Sequence, residues 1–333
     1  MKRAPFLAWL PLACALAACS GGGGGGSGTV VVPTPTPDPA PAPVPTPAPT
    51  DSAFDTAEYR ATEGAVAMNA LAAYQRGATG AGIKVAVIDT GIDIDRPEFA
   101  GRIDPASRDV AGNGTVDDVG GHGTGVSLLL AARRDGSGTH GVAFDATIVA
   151  FRADFPGTCA AGDCVMSLAA TAQAIDLARA AGVRVINLSM IGDNPPGAAM
   201  LEALDRATAV GIVVAVCAGN DGGPEPARFG AGLAASAQAR GLVIVVGGVG
   251  RDDMPFTSRA GASAAHYLTA NAGSCSAATP QVAGAAVLIA QANPGMSGAD
   301  IVATLYASAR DAGAAGQDPV HGRGVLDLTA AFR

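Results

Sequence analysis

Lys84-Val85-Ala86-Val87-Ile88-Asp89, followed by Thr90-Gly91, is a short unbroken apolar run that ends in a carboxylate and a turn. Val, Ile and Ala without polar alternation suit a strand covered on both faces, as in a parallel sheet packed between helices. The pattern recurs at Ala146–Arg152, Val183–Leu188, Ile212–Val216 and Leu242–Val246. Helix-length segments stand between these runs. Ala57–Tyr74 reads as helical pieces, and a helix opens at Gly121–Thr124 and runs to about Ala132. Further helices are expected at Val165–Ala181, stopped by Gly182, and at Ala198–Ala209, Ala277–Ala292 and Gly298–Ser308. Strands alternating with helices predict an α/β domain with a mostly parallel central sheet flanked by helices. Ligands of such sheets bind beyond the carboxyl ends of the strands. Asp89, Ser189 and Asn220 each follow a strand-like run.

The chain has 333 residues, of which 49% are hydrophobic, 15% charged and 4% aromatic. A net charge of -8, with no basic run beyond Lys2-Arg3 and Arg133-Arg134, speaks against a nucleic-acid partner. Lys2 and Arg3 precede an apolar stretch, Phe6–Ala18, that is shorter than the roughly 20 residues a spanning helix needs. It closes on Leu16-Ala17-Ala18-Cys19, which resembles the bacterial lipobox, where cleavage precedes a Cys that carries lipid. Gly21–Gly26 and the Pro-, Thr- and Ala-rich stretch Pro33–Pro49 then form a tether, flexible first and extended afterwards. The reading is a signal peptide at 1–18, a lipidated Cys19 with its tether at 19–53, and one globular domain at 54–333. Ser20 after the lipid-bearing Cys points to the outer membrane or cell surface. Of the six cysteines, Cys159 and Cys164 flank a Gly-containing turn and are expected to pair in an exported protein. Cys217 ends an apolar run and reads as a small buried residue.

Only four His residues compete for any general-base role. His122 sits between glycines at a helix start, and Asp89 ends a strand. Ser276 opens an apolar helix, and Gly219-Asn220 follows another strand. Hydrolysis by serine needs those parts: a nucleophile, a base, an acid to orient the base, and donors for the oxyanion.

Four segments carry a family resemblance. Val85-Ala86-Val87-Ile88-Asp89-Thr90-Gly91 resembles the aspartate motif of the subtilisin family, and Gly121-His122-Gly123-Thr124-Gly125-Val126 its histidine motif. Ala218-Gly219-Asn220 resembles the segment that supplies the oxyanion asparagine. Ser274-Cys275-Ser276-Ala277-Ala278-Thr279-Pro280-Gln281-Val282-Ala283-Gly284 resembles the serine motif. Their order, Asp, His, Ser, is that of subtilisin. Phe256–Gly261 and Gly322–Leu328 are similar to passenger domains of bacterial autotransporter proteases. No run of barrel strands follows, so a lipid anchor is expected in the barrel's place. The resemblance implies a three-layer subtilisin-like sandwich and a serine endopeptidase. In it Ser276 is the nucleophile, His122 the base, Asp89 its orienting acid, and Asn220 an oxyanion donor. Ser189, Met190, Ile191 and Gly192 would pair with an extended protein or peptide substrate. A monomer without cofactor is implied; whether structural calcium binds is left open.

The sequence also departs from the family. Ser274-Cys275 stands where Gly-Thr is usual before the nucleophile, and Met190-Ile191 where Leu-Gly is frequent. The stretch between Phe256 and Ser276 is short, and no family-sized propeptide is expected between the tether and the first strand. A binding or scaffold lipoprotein with impaired catalysis is therefore the rival reading. An esterase of the α/β-hydrolase type lacks its Gly-x-Ser-x-Gly elbow. No two His residues share a helical face as metal ligands, and the acidic loop Asp109–Asp118 lacks a calcium-loop pattern.

Overall fold

The computed structural model describes residues 53–161 and 164–333. The signal segment, Cys19 and the tether up to residue 52 lie outside the described residues.

Three short helices lead in: α1 (Ala57–Ala61), α2 (Glu63–Ala67) and α3 (Leu71–Tyr74). Then come β1 (Lys84–Asp89), β2 (Arg108–Asp109), α4 (His122–Ala131), β3 (Thr147–Arg152), α5 (Leu168–Ala180) and β4 (Val185–Leu188). They are followed by α6 (Ala198–Thr208), β5 (Val213–Cys217), α7 (Arg228–Ala235) and β6 (Val243–Val249). The chain continues through β7 (Tyr267–Asn271), α8 (Cys275–Ala292) and α9 (Gly298–Ser308). The strands form one seven-stranded sheet in the order β2-β3-β1-β4-β5-β6-β7, and every paired strand is parallel.

Alternation along each strand divides the apolar residues between two cores. Val85 and Val87 of β1 face one core, shared with Leu130 of α4 and Val282 of α8. Ala86 and Ile88 face the other, shared with Ile175 of α5 and Leu204 of α6. Both faces are covered, which is why the strands read as continuous apolar runs. Helix α8 is buried at every position from Ala278 to Ala290 and packs against β4, β5, β6 and β7. An apolar composition all round is what such a helix requires. No helix among the described residues is long and apolar enough to cross a membrane.

Strand order reverses at β1. From there β3 and β2 lie to one side, and β4 to β7 to the other. The carboxyl ends of β1 and β4 therefore meet at a topological switch point, where open α/β sheets form crevices. Asp89 ends β1 and Ser189 follows β4.

The chain beyond β3 holds a buried ion pair. Arg152 donates to Asp154 at 2.8 Å, and both side chains are almost wholly enclosed. The same guanidinium donates to the carbonyl of Asp117, and Asn113 donates to the carbonyl of Asp154. These bonds fasten the acidic loop 109–118 to the sheet.

Candidate active site

Asp89 is 2% exposed at the end of β1. Its Oδ1 accepts the N–H of Thr90 at 2.8 Å and the Nδ1–H of His122 at 2.7 Å. A carboxylate acceptor at Nδ1 fixes the tautomer and leaves the Nε2 lone pair free to take a proton. The His122 pKa is raised above the ordinary range, first by the hydrogen bond to Asp89. Burial opposes this, and the charges of Asp89 and Asp118 add to it. The imidazole keeps 42% of its side chain exposed, so it is open to a ligand.

His122 is the first residue of α4, whose N-terminus is organised by Asp118. One Asp118 oxygen accepts the N–H groups of Gly120 and Gly121 and the hydroxyl of Thr90; the other accepts the N–H and hydroxyl of Thr124. A carboxylate over the first turn satisfies orphan helix donors and suits the positive end of the dipole. In the sequence Asp118 stands only as the last residue of the acidic loop 109–118. A carboxylate four positions before His122 was the available signal. Gly123 lets the helix approach β1, since a Cβ there would come within 2.3 Å of the Gly91 carbonyl oxygen.

Ser276 is the second residue of α8, which begins at Cys275, two residues ahead of the expected start. Pro280 therefore lies inside the helix and not in its first turn. Having no N–H, Pro280 cannot bond to the Ser276 carbonyl four residues back. Ser189 Oγ fills that vacancy, donating to the Ser276 carbonyl at 3.1 Å while accepting from Asn187 Nδ2 at 3.0 Å. Ser274 is the N-cap, and its hydroxyl accepts from Ala277 N–H. Its φ of -149° is ordinary extended backbone, so no glycine is required there.

The first N–H groups of α8 are nearly all accounted for. Cys275 N–H donates to Asn220 Oδ1 at 2.8 Å, Ala277 N–H to Ser274 Oγ, and Ala278 N–H to the Ser274 carbonyl. Ser276 N–H has no partner among the described residues. Asn220 Oδ1 accepts from Cys275 N–H, the residue before Ser276, and its Nδ2 has no partner among the described residues. Two free donors at a helix N-terminus form an anion site in kind.

Asp89, His122, Ser189, Met190, Ile191, Gly192 and Ser276 line one cleft of about 660 Å³. Asn220 lines an adjoining hollow that shares Ile191 and Asp193 with the cleft. Ser276 Oγ is bonded to the Ser189 carbonyl at 3.4 Å, and no hydrogen bond joins it to His122 among the described residues. The Gly192 carbonyl accepts from Phe229 N–H, whereas Met190 and Ile191 have no backbone partner among the described residues. That leaves a short free edge for an added strand. Ile191 is 46% exposed and stands on this edge as an apolar wall.

Cys159 and Cys164 are joined in a disulfide that packs against Gly120, beside the His122 turn. Cys217 is not simply a small buried residue: it forms a disulfide with Cys275. Among the described residues no group of three or more His, Cys, Asp or Glu could hold a metal ion. Asp109 of the acidic loop is occupied by the N–H groups of Ala111, Gly112 and Gly114.

A family model described as the subtilase family matches residues 80–324. Subtilisin Savinase of Lederbergia lenta is 33% identical over 282 residues, covering 80% of this chain and 96% of that protein. The alkaline protease of Alkalihalobacillus alcalophilus is also 33% identical over 282 residues, covering 80% of this chain and 68% of its own. Alkaline elastase YaB of Bacillus sp. (strain YaB) is 32% identical over 277 residues, covering 78% and 67%.

Proposed function

The chain belongs to the subtilase family, and from that premise we propose a serine endopeptidase that hydrolyses peptide bonds with Ser276, His122 and Asp89. The relatives named as subtilisin and alkaline protease support serine peptidase activity. One observation carries the assignment of residues. A buried carboxylate holds His122 Nδ1–H at 2.7 Å, in the same cleft as a serine at a helix N-terminus.

His122 Nε2 takes the proton of Ser276 Oγ as that oxygen attacks the scissile carbonyl, and returns it to the leaving amine. Asp89 keeps the tautomer and stabilises the imidazolium. Asn220 Nδ2 and Ser276 N–H donate to the oxyanion. Met190 and Ile191 offer the substrate a strand to pair with. The enzyme works as a monomer without a cofactor, exported and tethered to the outer membrane or cell surface through a lipid on Cys19.

The rival reading, a scaffold with impaired catalysis, draws on the hydrogen bond from Ser276 to Ser189 in place of His122. That bond is long, and one χ1 rotation separates the serine rotamers. Catalytic hydrogen bonds in unliganded sites are often loose and tighten on substrate. With Ile191 crowding the edge, an active but slow enzyme with a restricted groove is the expectation. A serine-reactive fluorophosphonate on the purified chain, with Ser276→Ala as control, separates the two readings. Labelling at Ser276 together with Ser276-dependent peptide hydrolysis supports the peptidase. An unlabelled, inactive wild-type chain makes the scaffold the better reading.

A further inference from the structure

The Cys217–Cys275 disulfide joins the two segments that meet behind the proposed nucleophile. Cys217 ends β5 and leads directly into Ala218-Gly219-Asn220. Cys275 opens α8 and directly precedes Ser276. Both cysteines are fully buried. Gly219 N–H points at Cys275 Sγ at 3.2 Å, and Cys275 N–H donates to Asn220 Oδ1 at 2.8 Å. Cys217 Sγ lies 4.0 Å from Ser276 Oγ. The bond, the two hydrogen bonds and the serine thus form one compact knot.

We infer that this disulfide is a positioning element of the active site, which fixes the spacing between the Asn220 amide and the Ser276 N–H. The inference rests on the proposed peptidase function. Its physical basis is the precision that oxyanion stabilisation demands. Donors must lie at hydrogen-bond distance from the oxygen of the transition state, not of the ground state. Without the bond, the Asn220 segment and the Ser276 turn are held together by the hydrogen bonds just described and by the packing of α8 on β5. A displacement of about 1 Å can cost about a hundredfold in rate. The cross-link prevents that drift without contacting the substrate. The cysteines therefore act through Asn220 and Ser276, and should affect turnover more than substrate binding.

The test compares the full chain with Cys217→Ala, Cys275→Ala and the double variant, assayed well below their melting temperatures. Expected is a fall in kcat of roughly a hundredfold with KM changed by only a small factor. The acid limb of the pH profile should stay in place, because Asp89 and His122 are untouched. Either single variant breaks the bond, but Cys275→Ala and the double also lose the Gly219 N–H contact to Sγ, so Cys217→Ala reads the effect of the bond alone. If the alanine variants do not fold, the wild-type chain is treated with a graded phosphine reductant. Mass mapping of alkylated thiols then scores which disulfide has opened. Activity should fall in step with the opening of Cys217–Cys275 and return on reoxidation. Wild-type kcat in a folded double variant, or in chain mapped open at Cys217–Cys275, overturns the role. If the wild type shows no Ser276-dependent activity, the functional reading fails and this role with it. If the wild type is active and the cysteine variants equal it, this role fails alone.

Discussion

His122 must be neutral to accept a proton, yet its surroundings favour the charged form. Asp89 holds it by a hydrogen bond, and the Asp118 carboxylate adds a further negative field. The acid limb of kcat/KM should therefore have its midpoint above the ordinary His value of about 6.5. Activity rises as pH climbs through that point and is lost below it. Asp118→Asn removes one charge and turns one accepting oxygen into a donor at the α4 turn; in a variant whose fold is intact by circular dichroism, the limb should move to lower pH. A pH series on both proteins checks this; a limb at or below the ordinary value, or one unmoved by Asp118→Asn, contradicts it. The stability linkage runs the other way. A raised folded-state pKa contributes stability that is fully present below the unfolded value and lost as pH rises through the folded value. The Asp89–His122 pair thus braces the fold best where the enzyme is least active. For Asn220→Ala, with Oδ1 tied to Cys275 and Nδ2 free, turnover should drop about 10²–10³-fold. That magnitude comes from the family's own asparagine and is transferred here. Near-normal turnover in Asn220→Ala would remove that residue from the mechanism.

Strand β3 shows how an element holds a site it does not itself form. Arg152 and Asp154 are buried as a pair, and Arg152 also carries the loop that brings Asp118 over α4. Asp154→Ala would leave the guanidinium buried without its carboxylate, which costs about 3–5 kcal/mol. A large fall in melting temperature is expected. An unchanged one would mean that the pair contributes little. Gly123→Ala brings a Cβ against the Gly91 carbonyl, and such overpacking costs about 1–3 kcal/mol. Because the collision lies between α4 and β1, it should also separate His122 from Asp89. Elements of this kind were legible where burial leaves a signature: β1, β3, β4, β5 and β6 read as apolar runs, and α8 as an apolar helix. β7 was missed because Tyr267-Leu268-Thr269-Ala270-Asn271 mixes polar residues into an edge strand, and β2 is only two residues long. α7 carries two glycines, poor helix formers, in its eight residues. The Cys217–Cys275 pairing spans 58 positions. Only the sheet, by placing the ends of β5 and the start of α8 together, makes it visible. The triad candidates were readable because each sits in a local motif. Asp118 offered only its place four positions before His122, and its role lies in five hydrogen bonds that a loop sequence does not reveal.

At the scale of the whole molecule, the described fold and the proposed anchor lie in different parts of the chain. From Ala57 onward, apolar runs bury two cores against one sheet. That separation along the sequence makes the anchor testable apart from the catalyst. The residues assigned to catalysis all lie between Asp89 and Ser276, so nothing in the proposed chemistry depends on Cys19. A single lipid chain gives only marginal membrane binding, whereas two or more hold firmly. A lipidated Cys19 carrying several chains should keep the wild-type chain in the membrane fraction and in the detergent phase of a two-phase extraction. Mass analysis of the N-terminal peptide should show the acyl mass on Cys19. Cys19→Ala should lose that mass and enter the aqueous phase or accumulate unprocessed. Its kcat/KM on a small soluble peptide should match the wild type, since a tether restricts where the enzyme acts and not how its site is built. A soluble wild-type chain with an unmodified Cys19 rejects the anchor. An anchored wild type whose released form has lost its activity on small peptides would show instead that the N-terminal segment helps to build the site.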